Sequence, residues 1–265
     1  MQCGIKTVAM ESTGVYWIPL HEVLEERGLE MVLVNARHVH NVRGRKSDVK
    51  DCQWLQELHS VGLLQASFRP AGEIVALRSY VRHRQTLVEA AATCIHRMQK
   101  ALTQMNLKLH QVLSDLTGVT GMAIVRDIVA GVRDPQALAA HRDGRCKASE
   151  QDIAAALTGN YGPEHLFALH QNFAAFEFHQ RQIAQCDQAI AAQLARLADS
   201  RPPASRELPT ARQRYKRSKN EPCGELRAPL HRLTGGADLS QINGIGPYGA
   251  LLSCRATPAP NRDWS

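Results

Sequence analysis

The chain has 265 residues, 44% of them hydrophobic and 5% aromatic, which excludes a disordered composition and allows one large domain or two ordinary ones. Its formal net charge of +7 favours a polyanionic partner such as nucleic acid. None of the seven cysteines forms a C-x-x-C pair, so neither a zinc site nor a disulfide framework is indicated. With no signal peptide and no apolar run long enough to span a bilayer, we expect a soluble, cytoplasmic protein without a membrane partner.

Residues 1–70 have the pattern of an α/β domain. Two short apolar runs predict buried strands and two stretches with helical spacing predict helices; in chain order these are 6–10, 16–26, 31–34 and 49–58. Gly28 is the predicted C-cap of the first helix. Strand, helix, strand, helix is the order of a parallel sheet with crossover helices.

Residues 71–199 are predicted to form a mostly α-helical coiled-coil arm. Apolar residues recur at alternating spacings of three and four over 71–117, broken only by Arg84, which predicts a single long helix. A second such run covers 166–197, with Gln180 and Asp187 at polar positions of the seam. The two helices would pair as an antiparallel hairpin within one chain or between subunits, and the sequence leaves both open.

The parts that follow or interrupt the arm are less regular. A small helical module is predicted at 118–164, with Ser149 as an N-cap and Asp152 three residues on. Residues 200–238 have the composition of a basic linker, which is either solvated or a strap that contacts phosphates. Residues 239–265 have the start of a further helical domain and a tail without periodicity.

Three acids are candidates for chemistry. Glu11 directly follows the first strand, at the edge of a parallel sheet where ligands gather. Asp48 and Asp51 are three apart on a predicted helix and therefore share a face. Such hard oxygen ligands suit Mg²⁺ or Mn²⁺. The alternative is structural: Glu11 would cap the turn after the strand, and the two aspartates would be first-turn acids favoured by the helix dipole.

Two groups of residues are candidate nucleic-acid contacts. Basic side chains next to the aspartates would face the phosphate backbone, and a turn with two glycines before the last helix can present N–H groups to a phosphate. The members of the two groups are Arg43, Arg45, Lys46, Lys50, Gly244 and Gly246.

Several of these segments resemble one family in their order along the chain. Residues 10–17 resemble the strand-end motif of DEDD transposases, which have RuvC-like nuclease domains and belong to the bridge-RNA-guided, one-ten family of insertion sequences. Residues 34–38 resemble the family's next strand and loop, and 44–55 its D-x-x-D helix. The short motifs at 118–121 and 244–247 match in place and order.

The resemblance implies a partial RuvC-like (RNase H-like) domain, a coiled-coil arm and the start of a C-terminal transposase domain. Glu11, Asp48 and Asp51 would be three of the four metal-binding acids. The implied activity is metal-dependent cleavage and joining of DNA in transposition, with DNA, a structured guide RNA and a further copy of the chain as partners.

The resemblance also implies a first aspartate upstream and a nucleophilic serine downstream, so the sequence predicts a chain truncated at both ends and of uncertain activity. The alternative function is that of a non-catalytic, nucleic-acid-binding coiled-coil protein. Binding without metal and without strand cleavage would favour that alternative.

Overall fold

The computed structural model describes residues 4–35, 48–67, 69, 72–211 and 216–254, with the side chains of Asp48 and Cys254 outside the description. The chain divides into two compact units, Met1–Ala71 and Gly72–Ser265. None of the helices in the described ranges is long and apolar enough to cross a membrane.

The first unit is built on two parallel strands, as predicted. Strand β1 (Thr7–Glu11) and strand β2 (Glu30–Val34) pair in parallel, with Thr7 opposite Glu30 at one end and Glu11 opposite Val34 at the other. Gly28 has a φ of +77°, the left-handed conformation that ends the helix between the strands without a Cβ penalty. The elements of this unit are β1 (Thr7–Glu11), α1 (Trp17–Glu26), β2 (Glu30–Val34) and α2 (Asp48–Ser60).

The second unit is organised by two long helices, α3 (Gly72–Gln104) and α8 (Pro163–Asp199), which pack along each other within the chain. They are antiparallel, because the Gln193 side chain near the end of α8 donates to the carbonyl of Glu73 at the start of α3. Buried apolar side chains from both helices form the two hydrophobic cores of the unit.

Helix α3 ends earlier than the heptad pattern predicts. Asn106 has a φ of +60°, the Asn106 amide donates to the Thr103 carbonyl and the Leu107 amide donates to the Leu102 carbonyl. These two bonds form a Schellman motif, which stops a helix and turns the chain. The prediction of one helix to residue 117 is therefore wrong beyond Gln104, since the later apolar residues of the run belong to a chain that has folded back.

Four short helices form a module between α3 and α8. They are α4 (Leu109–Val112), α5 (Val119–Ala130), α6 (Pro135–Ala139) and α7 (Glu150–Ala156). Ser149 and Asp152 exchange hydrogen bonds in a capping box at the start of α7, which confirms the predicted helix start. A Cβ at Gly121 would lie 2.2 Å from the Leu116 carbonyl oxygen, so close packing explains this glycine of the 118–121 motif.

The C-terminal part packs on the hairpin near the start of α3 and the end of α8. It contains α9 (Arg227–Leu233), a 3-10 helix (Leu239–Gln241) and α10 (Pro247–Cys254). Leu230 of α9 and Leu251 of α10 are buried against Leu77 and Leu194 of the hairpin. Helix α9 lies within the segment that the composition describes as a basic linker.

Candidate functional site

Glu11 occupies the carboxyl end of β1. The ladder continues one residue past it, where the Ser12 amide donates to the Val34 carbonyl at 2.9 Å, so the strand end is held firmly. The Glu11 side chain is exposed, and the Thr13 hydroxyl donates to its Oε1. This bond is the turn-capping contact of the structural alternative, and it orients the carboxylate at the edge of the sheet.

Two contacts join the end of α2 and the segment after it to the sheet. Near its end, His59 Nε2 lies 2.9 Å from the hydroxyl of Thr7, the first residue of β1. The chain then returns along β2, where the Ser67 amide donates to the Leu33 carbonyl. The end of α2 therefore lies beside the start of β1, and the chain after the helix reaches the carboxyl end of β2.

Asp51 and Glu11 lie at similar distances, each along its own element, from the contact between His59 and Thr7. Asp51 precedes His59 by eight residues, about 12 Å along a helix. Glu11 follows Thr7 by four residues, about 13 Å along a strand. Asp51 is exposed, and Asp48 is the first residue of α2, one turn before it. The three predicted ligands thus lie at the start of α2 and the end of β1, the two ends remote from the contact that joins these elements.

The structure describes the side chains of two of the three predicted ligands, Glu11 and Asp51. Among the residues whose side chains the structure describes, no group of three His, Cys, Asp or Glu could hold a metal ion. The predicted third ligand, the Asp48 carboxylate, lies outside those side chains. Exposed carboxylate oxygens fit the preference of Mg²⁺ or Mn²⁺, so the donor chemistry is compatible with the predicted ion.

The structure describes one of the four basic residues that are predicted to contact nucleic acid beside the acids. Lys50 is exposed on the first turn of α2, between the two aspartates. The other three members of that group, Arg43, Arg45 and Lys46, lie outside the described residues.

The predicted glycine turn lies at the start of α10. Gly244 has a φ of +83°, and a Cβ there would meet no atom within 4 Å. The Ile245 amide donates to the Ile242 carbonyl, and the Ala250 amide donates to the Gly246 carbonyl in the first helical turn. The earliest amides of a helix have no partner within the helix, so this exposed turn can present them to an anion.

A large cleft lies elsewhere, in the helical module. It is an open cleft of about 1030 Å³ in the second unit, lined by residues of α4, α5 and α7 and by the loop before α7. Its acids are already engaged: Asp115 pairs with Lys219, and hydrogen bonds from Arg145 lower the pKa of Asp143 to about 2. Both carboxylates are therefore ionised and paired with cations near neutral pH.

Sequence reasoning missed one polar cluster at the centre of the hairpin. Arg84, the residue that breaks the first heptad run, forms an ion pair with Asp187, one of the two polar seam residues of the second run. The Arg84 and Asp187 side chains are 2% and 7% exposed. Each anomaly was visible in the sequence, and pairing them required only that the helices be antiparallel.

Comparison with known proteins bears on the first unit and α3. Residues 3–107 match the family model of DEDD transposases of the IS110 type, described as Transposase. No curated protein and no solved structure matches the chain. The match covers the strand end with Glu11 and the helix with Asp48 and Asp51, and it confirms the resemblance read from the motifs. The part of the chain that contains these three acids is therefore similar to the DEDD transposases of IS110 elements.

Proposed function

We propose that the chain acts in DNA transposition as a metal-dependent recombinase of an insertion sequence. The observation that supports this most is the family match over residues 3–107, because it includes the end of β1 with Glu11 and the helix with Asp48 and Asp51. Transposases of a DEDD family are nucleases and strand-transfer enzymes, so the proposed reaction is cleavage and joining of DNA phosphodiesters.

Glu11, Asp48 and Asp51 are the proposed ligands of Mg²⁺ or Mn²⁺. A bound divalent ion would polarise the scissile phosphodiester and stabilise the charge that develops on its oxygens. In this arrangement Thr13 orients the Glu11 carboxylate through its hydroxyl. Lys50, with Arg43, Arg45 and Lys46, would neutralise the DNA backbone beside the acids.

The proposed partners follow from the same assignment. Element ends and target DNA are the substrates, and a structured guide RNA and a second copy of the chain are the further partners expected of the family. The glycine turn at Gly244 and Gly246 is the proposed phosphate contact of the second unit. The alternative of a non-catalytic coiled-coil protein is less well supported, because the family match lies on the segment with the acids.

Mn²⁺ binding to the chain tests the assignment directly. We expect Glu11→Gln, Asp48→Asn and Asp51→Asn each to weaken Mn²⁺ binding by at least about tenfold. Removal of a residue that only hydrogen-bonds to a metal ligand already lowers metal affinity by about tenfold or more, and removal of a ligand should lower it at least as much. Titration calorimetry gives the affinity, and far-ultraviolet circular dichroism reports the fold.

Glu57→Gln is the matched control, because Glu57 is an exposed acid of the same helix about 120° around it from Asp51. It should bind Mn²⁺ as the unmodified chain does. If the three variants and the control bind Mn²⁺ equally well, the site is assigned to the wrong residues. If only Asp48→Asn and Asp51→Asn are affected, Glu11 has the structural capping role instead.

A further inference from the structure

A basic segment crosses the hairpin and completes its buried ion pair. We call residues 216–223 the strap. The Asn220 carbonyl accepts a hydrogen bond of 2.8 Å from Arg84 Nη1, and the Cys223 amide donates one of 2.9 Å to Asp187 Oδ2. Two buried charges therefore take part of their hydrogen bonding from the backbone of the strap, and this fixes where the strap lies.

The strap is also held by a side chain. Lys219 Nζ donates to Asp115 Oδ2 at 2.8 Å and to the Thr117 carbonyl at 3.1 Å. This contact engages Lys219 with the module, whereas Lys216 and Arg217 stay exposed on the outer side. The strap thus presents two cations to solvent from an anchored backbone.

Arg84 links the strap to the glycine turn. Its guanidinium carbon lies 5.7 Å from the ring centroid of Tyr248, which follows Gly246 by two residues. The Tyr248 hydroxyl donates to Oε1 of Gln85, the next residue of α3, at 3.5 Å. Arg84 therefore contacts both the strap and the helix that begins at the turn, and Gln85 contacts that helix as well.

Charge on this surface favours an anion. Lys216 and Arg217 are exposed, and hydrogen bonding to Cys223 raises the pKa of Arg217, which is cationic at every working pH. The buried carboxylate of Asp187 is already compensated by Arg84, so it does not offset the exposed cations. Tyr248 lies in the first turn of α10, so the positive end of that helix is close to Arg84, which also holds the strap.

We propose that the strap and the glycine turn form one composite surface for a single nucleic-acid backbone, with Arg84 as the positioning residue of both. A phosphate recurs about every 3.4 Å along each strand of a duplex, so contacts separated by one arginine side chain can engage the same strand. The inference rests on the proposed function in one respect, that the chain binds nucleic acid. It adds which two elements of the second unit bind together.

Fluorescence anisotropy with a 30-base-pair DNA duplex and an RNA duplex of the same length measures this binding. Lys216→Ala/Arg217→Ala should lower the slope of log K against log salt by about 1.8, as expected for two lost phosphate contacts. Gly244→Val should weaken the same isotherm, because a β-branched residue does not tolerate the φ of Gly244.

The outcomes separate the composite surface from the proposed function. One binding event of one duplex per chain, weakened by each set of substitutions, supports the composite surface, and the tighter duplex shows whether its backbone is DNA or RNA. Two independent binding events, each lost with one set, overturn it while leaving nucleic-acid binding intact. If neither duplex binds the unmodified chain at low salt, both the inference and nucleic-acid binding are overturned.

The positioning role of Arg84 has a readout that does not need nucleic acid. Arg84→Leu/Asp187→Leu replaces the buried pair by apolar side chains and removes both backbone partners of the strap. Trypsin should then cleave after Lys216 and Arg217 at least about tenfold faster, since two hydrogen bonds that hold the strap down are lost. Nucleic-acid affinity should fall in the same variant.

A matched control is the exposed pair of Arg126 and Glu177, which joins α5 to α8 at 3.3 Å. Arg126→Leu/Glu177→Leu removes an ion pair from the same hairpin without touching the strap, so trypsin cleavage at the strap should not change. If the double leucine variant at 84 and 187 folds and shows the control's cleavage rate and unchanged affinity, Arg84 does not position the strap.

Discussion

Removing one partner of the buried pair should destabilise the second unit far more than removing both. The Asp187 side chain is 7% exposed in the structure. Arg84→Leu removes its ion-pair partner and leaves the Cys223 amide as its remaining hydrogen-bond donor among the described contacts. Breaking a buried ion pair in this way costs about 3–5 kcal/mol in the free energy of unfolding. Arg84→Leu/Asp187→Leu fills the seam with apolar side chains of similar bulk, which is often neutral or stabilising.

Urea denaturation followed by circular dichroism at 222 nm measures this difference, because most of the helix lies in the second unit. Arg84→Leu, Asp187→Leu and the double variant complete a double-mutant cycle, and we expect a coupling energy of about 3 kcal/mol or more. The reasoning is refuted if Arg84→Leu costs less than about 1 kcal/mol, or if the two single effects simply add in the double variant.

Two further predictions concern packing and pH. Gly121→Ala should lower the free energy of unfolding by about 1–3 kcal/mol, because its Cβ would meet a carbonyl oxygen, whereas Gly144→Ala should not lower it because its Cβ meets nothing within 4 Å; thermal melts compare them. Burial raises the pKa of Asp238, but hydrogen bonds led by that from Arg227 outweigh it and lower the pKa to about 2. A lowered folded-state pKa stabilises the protein above the unfolded value near 4, by about 2 kcal/mol, and this is lost as the pH falls through 2. Asp238→Ala should therefore cost more stability at pH 7 than at pH 2, and an equal cost at both would contradict the pairing.

Local patterns predicted local structure well. The strands, the end of α1 at Gly28 and the start of α7 at Ser149 each depend on a few neighbouring residues, whose spacing and conformational preference are readable in the sequence. The early end of α3 was missed because Asn106 adopts a left-handed conformation that its neighbours do not announce. The heptad pattern continued past it, since buried residues recur at similar spacings in the folded-back chain.

Long-range placement could not be predicted in the same way. The sequence indicated that Glu11 ends a strand, but the packing of α2 against β1 depends on the contact between His59 and Thr7, 52 residues apart. The strap offered even less signal. Its composition predicted a basic linker or a phosphate contact, but not that Asn220 and Cys223 would meet buried charges, because backbone groups leave no trace in composition.

The buried ion pair links the stability of the hairpin to the order in which the chain is synthesised. Arg84 contacts Asp187 and Asn220, which follow it by 103 and 136 residues. Domains fold during synthesis from the N-terminus, and contacts between distant residues form slowly. Until Cys223 has left the ribosome, a hairpin that already exists must keep two charged groups of its seam only partly satisfied. The two long helices are therefore synthesised before the strap but become fully stable only after it. During that interval the incompletely packed hairpin is accessible to chaperones.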